Sequence, residues 1–310
     1  RTLPSPARVF RKSSTSAAHS FVKVKSHKKN ARELCRLLLC QRLDAHRRAK
    51  EAVWCAKFSL DGQYLATGGG NEEQGTVRVW QVVAPSESMP TDASSAHLLA
   101  LAQAPEGAAP FSGASAGAGQ TSGKSGAMME VSGEPVLSST PFRVFQGHTS
   151  HVVDLAWSRT NLLLSASMDK YVRLWHVSRM ECLFKFEHPD CVTSVAFHPL
   201  EDTYFLSGCF DKKLRVWGLH SGRVVLWQAT TEIVTAVQFS PDARLVVAGL
   251  YSGNCVFYLT DGLRYHTMVE CRNRKGSTRG GRKVTGLQFA NGGTELLVTT
   301  NDSRVRLVSM

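Results

Sequence analysis

The residues that first invite a chemical reading are Ala118 to Ser125, AGQTSGKS, which depart from the phosphate-cradling pattern G-x-x-x-x-G-K-[ST] only in having Ala for the first Gly. That pattern works when a buried strand delivers a Gly-rich turn onto a helix N-terminus, where backbone N–H groups and the helix dipole meet the phosphates. The flanks supply neither element. SGASAGAG lies upstream and GAMMEVSGEPVLSS downstream, inside a run over 84–140 rich in Gly, Ala, Ser and Pro. Such a composition buries too little apolar surface to offset ordering, so the run is expected to be a disordered insert and the motif incidental.

Other reactive side chains are scattered. Eight cysteines stand at 35, 40, 55, 182, 191, 209, 255 and 271 with no C-x-x-C pair, and most lie in apolar runs. They read as small core residues of a reduced cytosolic protein. No histidines are paired at metal-ligand spacing, and G-x-S-x-G, H-E-x-x-H and paired carboxylates are missing, so neither a cofactor nor an enzyme is expected.

Two basic clusters carry more. Arg272, Arg274, Lys275, Arg279, Arg282 and Lys283 place six cations in twelve residues without an acid, beside Ser277 and Thr278. Such a loop could hold phosphate or an acidic peptide, or be only solvated. The second cluster is an N-terminal arm with Lys23, Lys25, Lys28 and Lys29 at its centre. Residues 1–50 hold 14 Lys/Arg against Glu33 and Asp44, while residues 51–310 hold 23 against 23, so the net charge of +12 lies in the first fifty residues. The arm reads either as a solvated tail or as a polybasic segment drawn to anionic lipid or an acidic partner. Nucleic acid is the third reading, with only Phe10 and Phe21 able to stack on bases.

The elements that would position these clusters come from a repeat. AVWCAKF (52–58), HVVDLAW (151–157), CVTSVAF (191–197), IVTAVQF (233–239) and KVTGLQF (283–289) share Val at the second place and an aromatic at the last. Alternation of this kind suits a strand with one face in a core. A turn and a second apolar run follow each: YLATGG, LLLSASMD, YFLSGCFD, LVVAGL and LLVTTND. Third runs close each copy: TVRVW (76–80), YVRLW (171–175), KLRVW (213–217), NCVFY (254–258) and RVRLV (304–308). Gly68, Gly69 and Gly70 fall at a strand-to-turn junction in this register.

A period of about 40 to 45 residues belongs to WD-repeat propellers, and the sequence resembles that family. The family's pattern of His, Ser, Asp and Trp fits His148, Ser165, Asp169 and Trp175, and again His188, Ser207, Asp211 and Trp217. In the family these side chains form a hydrogen-bond chain that ties a loop to the inner strands. The first copy departs from it, with Ala45-His46 for Gly-His and Gln74 where Asp is expected; the fourth has Ser252 and Tyr258, and the fifth keeps Asp302 but ends in Val308. The fold is therefore expected to be all-β, a WD-repeat β-propeller with about five of seven blades over 37–310 and a disordered basic arm over 1–36. Residues 37–43 are expected to form an outer strand completing a last blade, with about two blades beyond residue 310. The basic loop would join an outer strand near 264–271 to the next blade, on the face that most often binds partners.

VKVKSHKKNARELCRLLLCQ (22–41), SMDKYVRLWHVSRMECL (167–183), VTSVAFHPLEDTYFLSGCFDKKLRVW (192–217), NRKGSTRGGRKVTG (273–286) and NDSRVRL (301–307) resemble the family of WD repeat-containing protein 44, also called rabphilin-like. That family is associated with Rab small GTPases and vesicle traffic. The resemblance implies a peripheral cytosolic scaffold, possible at endosomal or Golgi membranes, that binds small GTPases or traffic factors. The alternative is a propeller that meets nucleic acid or anionic lipid through its arm and the 272–283 loop.

Overall fold

A computed structural model describes residues 21–23, 36–38, 41–83 except Glu72, 135–271, and 283–310 except Ser303. The insert with its AGQTSGKS string, most of the arm, and Arg272 through Arg282 lie outside the described residues. The chain divides into two compact units, one of residues 1–42 and 83–136, the other of residues 43–82 and 137–310. In the first, β1 (Phe21–Lys23) pairs antiparallel with β2 (Arg36–Leu38), Phe21 opposite Leu38. Within the segment expected to be a strand over 37–43, Leu37 and Leu38 pair with Val22 and Phe21 of the arm. Two runs expected apart satisfy each other's backbone groups, as any strand must find a partner to do.

The second unit opens with one helical turn, α1 (Ala45–Arg48), and then builds five antiparallel sheets. The first blade holds β3 (Ala52–Phe58), β4 (Tyr64–Gly70), β5 (Gly75–Gln81) and β6 (Arg143–His148). Next come β7 (Val152–Trp157), β8 (Leu162–Ser167), β9 (Tyr171–His176) and β10 (Phe184–Glu187). The third blade has β11 (Val192–Phe197), β12 (Tyr204–Cys209), β13 (Lys213–Gly218) and β14 (Arg223–Ala229). The fourth has β15 (Val234–Phe239), β16 (Leu245–Leu250), β17 (Asn254–Leu259) and β18 (Arg264–Glu270). The fifth has three strands among the described residues: β19 (Val284–Ala290), β20 (Glu295–Thr300) and β21 (Arg304–Ser309).

Middle strands such as β12, Tyr-Phe-Leu-Ser-Gly-Cys, are apolar or small throughout because both faces are covered. The covering comes from neighbours. Four apolar clusters each mix residues of two successive blades, as where Phe205 and Trp217 of the third meet Leu164, Val172 and Phe186 of the second. Outer faces at the ends of the series stay open. Val53, Trp54 and Phe58 on β3 and Val305 and Leu307 on β21 are exposed.

Blades approach closely because one register is kept small. The fifth place of each second strand is Gly68, Ala166, Gly208, Gly249 or Thr299. A Cβ on Gly208 would lie 2.6 Å from Val234 Cγ1, and one on Gly249 2.5 Å from Val284 Cγ1, in each case the next blade's second-place valine. Gly68 repeats this against Val152 at 2.8 Å, and a Cβ on Gly69 would lie 2.2 Å from the Ala52 carbonyl oxygen. The glycine run therefore closes β4, at the strand-to-turn junction expected of it, and serves packing there.

Each first strand also carries a bulge around its third place, between Val192 and Ser194 and between Val234 and Ala236, for example. A bulge turns that side chain out of the ladder. Thr193 uses the freedom to set its hydroxyl 3.0 Å from the Gly208 carbonyl and 2.8 Å from the next blade's Val234 carbonyl, its one proton shared between them. Thr235 does the same with Gly249 and Val284, at 3.1 and 2.6 Å. Gly249→Val is expected to lower unfolding stability by about 1–3 kcal/mol through overpacking, read by urea titration, while Gly222→Ala, in open space, stays within about 0.5 kcal/mol plus its left-handed backbone penalty of roughly 1 kcal/mol.

Candidate functional site

At the entry to the second blade Gly147 and His148 end β6, Ser165 sits in β8, Asp169 in the tight turn after β8, and Trp175 in β9. The Trp175 indole N–H donates to Ser165 Oγ at 2.8 Å, and the Ser165 hydroxyl meets His148 Nε2 at 2.7 Å. His148 Nδ1 lies 2.7 Å from Asp169 Oδ2, which also accepts the Thr149 amide at 3.1 Å. With Nδ1–H donating to the carboxylate, Nε2 is left to accept from serine, so the chain fixes one neutral tautomer. Burial pushes the His148 pKa down in spite of Asp169. Burial would raise Asp169, but the His148 hydrogen bond and two amides outweigh it and hold the carboxyl below its ordinary value. Nothing here is open to a substrate, since His148 and Ser165 are almost wholly buried.

The third blade keeps half of this arrangement. Trp217 donates to Ser207 at 3.0 Å, and Ser207 meets His188 Nε2 at 2.8 Å. Asp211, however, does not reach His188. It pairs with Arg215, at 3.1 Å for Nη1 to Oδ1 and in a second contact from Nη2, and takes the Lys213 amide at 3.2 Å. His188 Nδ1 instead donates to the Phe186 carbonyl at 3.2 Å. The expected four-residue chain is thus split in two: Arg215, four residues along, takes Asp211 in a bidentate pair, whereas Arg173 at the same place in the second blade bonds to the Gly147 carbonyl and leaves Asp169 to His148. Burial lowers the His188 pKa to about 4.

The first blade supplies its acid from another place. His46 meets Thr67 at 2.9 Å through Nε2 and Glu51 at 2.9 Å through Nδ1, and Trp80 donates to Thr67 at 3.0 Å. Glu51, just ahead of β3, also accepts from Thr76 at 2.7 Å and pairs with Arg78. Burial pushes its carboxyl up, and the bonds from Arg78, Thr76 and His46 outweigh that and hold it below the usual range. Gln74, in the slot where Asp was expected, is exposed. Sequence reasoning missed Glu51, Thr67 and the arginine two places before each closing residue: Arg78, Arg173, Arg215 and Arg306. That arginine series was a readable signal. In the fifth blade Arg306 pairs with Asp302 at 2.9 Å. The fourth blade has Val256 there and, among the described residues, no such network, and Ser252 Oγ, Asn254 Oδ1 and Thr260 Oγ1 are buried without a partner among those residues.

Of the basic loop, only Lys283 is described, exposed at the start of β19; Lys23 lies in β1, and Lys25, Lys28 and Lys29 fall outside the described residues. The loop's anchors are Glu270 at the end of β18 and Val284, as expected. The six described cysteines are free thiols: Cys209, Cys255 and Cys271 are buried, and Cys55, Cys182 and Cys191 only partly so. Cys255 and Cys271 lie 3.8 Å apart, and the hydrogen bond from Cys255 holds the Cys271 thiol below its ordinary value.

Antiparallel blades tied by histidine–serine or histidine–threonine–tryptophan relays define a WD-repeat β-propeller. The family model described as "WD domain, G-beta repeat" matches residues 38–81, 139–176, 180–218 and 222–259, and the chain belongs to that family. WD repeat-containing protein 44 of Xenopus laevis is 39% identical over 279 residues, covering 84% of this chain and 28% of that protein. An uncharacterized WD repeat-containing protein of Schizosaccharomyces pombe is 32% identical over 270 residues, covering 83% of this chain and 40% of its own length. The chain thus spans well under half of these relatives. A chain in the crystal structure of the mitotic checkpoint complex shares the fold at 17% identity and a TM-score of 0.58, with 89% of this chain matched to 67% of that one. Propellers of this family generally bind other proteins and are generally non-catalytic.

Two outcomes follow from the networks. Glu51→Gln leaves Arg78 facing a neutral group in a buried site and is expected to lower stability by about 3–5 kcal/mol, whereas Gln74→Ala stays within about 0.5 kcal/mol; denaturant titration separates them. His188 is neutral in the fold and charges more readily unfolded, at about 6.5, so its contribution is intact above pH 6.5 and is lost as pH falls from 6.5 towards 4. The loss should approach roughly 3 kcal/mol at the acid end of that window, and His188→Asn should flatten that part of a stability-versus-pH curve.

Proposed function

We propose that this chain is a non-enzymatic platform in membrane traffic. Its loop faces hold small GTPases or vesicle-coat proteins, and its basic arm, through Lys23, Lys25, Lys28 and Lys29, meets anionic membrane from the cytoplasmic side. The observation that carries the scaffold part is where the repeat's polar groups point. His148, Ser165, Asp169, Ser207, Asp211 and Glu51 spend their hydrogen bonds inside the blades, so they stiffen the body and leave chemistry to whatever the loops present. The traffic part is supported by the likeness to the family of WD repeat-containing protein 44. Arg274, Lys275, Arg279, Arg282 and Lys283 are assigned to partner binding, with Arg272 beside them.

A lysate pull-down with mass spectrometry tests this, run with nuclease and with a variant carrying Glu at those five positions. Small GTPases or coat proteins are expected on the parent chain and reduced at least fivefold on the variant. Recovery dominated by ribonucleoproteins and lost on nuclease treatment would replace the reading with a nucleic-acid one, whose affinity should fall steeply with salt.

A further inference from the structure

One register of the turns between second and third strands faces outward in three successive blades. Met168, Phe210 and Tyr251 each follow the last residue of β8, β12 or β16, and each amide bonds to the residue just ahead of its own blade's first strand. The partners are the carbonyls of His151, Cys191 and Ile233, all at 3.0 Å. These three side chains therefore sit at the same end of the blades, around the inner strands. Contiguity from blade to blade is direct, since Cys191 Sγ of the third blade donates to the Met168 carbonyl of the second at 3.2 Å. Large apolar groups are nevertheless left in solvent here, with Met168 42%, Phe210 44% and Tyr251 53% exposed.

The charge beside them has a consistent sense. In Met168-Asp169-Lys170 the carboxylate turns inward to His148, and in Phe210-Asp211-Lys212 it turns inward to Arg215. The lysines are left outside, exposed and in no ion pair among the described residues. Both adopt left-handed backbone, φ 73° and 62°, where the fourth blade has Gly253 at φ 90°. A side chain at such a φ is disfavoured; the Lys170 and Lys212 carbonyls are tied in by the His188 and Thr230 amides at 2.9 and 2.8 Å, while neither ammonium makes a hydrogen bond or ion pair among the described residues. Of the acids nearby, Asp190 turns its carboxylate onto the Cys191 amide at 2.8 Å, and Glu232 is half-buried.

We propose that Met168, Phe210 and Tyr251, with Lys170 and Lys212, form a docking rim for an extended acidic peptide that carries large apolar side chains. The apolar groups of the peptide cover the three exposed side chains, and its carboxylates meet the two free ammoniums, which are held apart from the inward acids by the blade networks. This rests on the scaffold reading and names the chemistry of one partner.

Fluorescence polarisation with the full chain and a labelled twelve-residue peptide alternating Glu with Leu and Phe is the test. Two control peptides replace every Glu by Lys or every apolar residue by Ser. The acidic apolar peptide is expected to bind at least tenfold tighter than either control. Lys170→Glu with Lys212→Glu should weaken it at least tenfold and shift preference to the lysine peptide. Phe210→Ser with Tyr251→Ser should weaken it at least tenfold while leaving its salt dependence, and Phe210→Leu with Tyr251→Phe should retain it within threefold. Equal binding by the parent chain to all three peptides, or unchanged binding by both disruptive variants, would overturn the rim, as would tighter binding of a uridine oligonucleotide lost in the same variants. If the rim fails while the pull-down still yields GTPases or coat proteins, the scaffold reading stands; if the rim binds and the pull-down yields none, the traffic reading falls alone.

Discussion

Because no sheet here has a core of its own, every blade depends on the distance at which its neighbour packs. Each of the four apolar clusters is shared by two blades, and the distance is set by a second-place valine facing a small residue of the blade before, Gly68, Gly208 or Gly249 at three contacts and Ala166 at the fourth. A methyl group at Gly208 or Gly249 would collide with that valine, so the small residue is a spacing rule written once per repeat. The bulge at the third place of the first strand answers the same demand. It lets Thr193 and Thr235 reach the next blade's carbonyls, so polar and apolar contacts between blades arise from adjacent residues.

The histidine relays act one level higher, on loops rather than blades. A strand pair is held by its own ladder, but the turn entering a blade has few backbone bonds, such as Glu51 N–H to the His46 carbonyl, and leans on side chains for the rest. In the second blade His148 joins that turn to Ser165 and Asp169, and in the first His46 does so with Thr67 and Glu51. These are buried charges or near-charges in partly apolar surroundings, and their pairing is what makes them tolerable. The fourth blade shows the other solution. It has Tyr258 and Val256 in place of Trp and Arg, and buries its contacts apolar.

Strand positions and blade order were legible in the sequence because they rest on a period of apolar residues, which any two copies display. Partner choice within a blade was less legible. Asp169 and Asp211 each had two candidate partners, a histidine and an arginine four residues further on, and the spacing of histidine to aspartate did not say that Asp169 would take His148 and Asp211 would take Arg215. Glu51 was missed for the opposite reason, since the first blade's acid left the turn and came from the residue ahead of β3. The pairing of Arg36–Leu38 with Phe21–Lys23 was beyond the pattern altogether, as short strands outside the repeat have no second copy to be compared with.

The turn tripeptides show how one short sequence serves fold and surface together. In Met168-Asp169-Lys170 the middle residue is fixed by the interior, through His148, and this fixes the direction of the two beside it. In Phe210-Asp211-Lys212 the acid has exchanged its histidine for Arg215, yet the outward pair keeps the same composition, one large apolar group and one ammonium. The inward contact can therefore change without changing what the turn presents. A surface built in this way inherits its geometry from the core, and its specificity is free to vary by substitution at the outer two places alone.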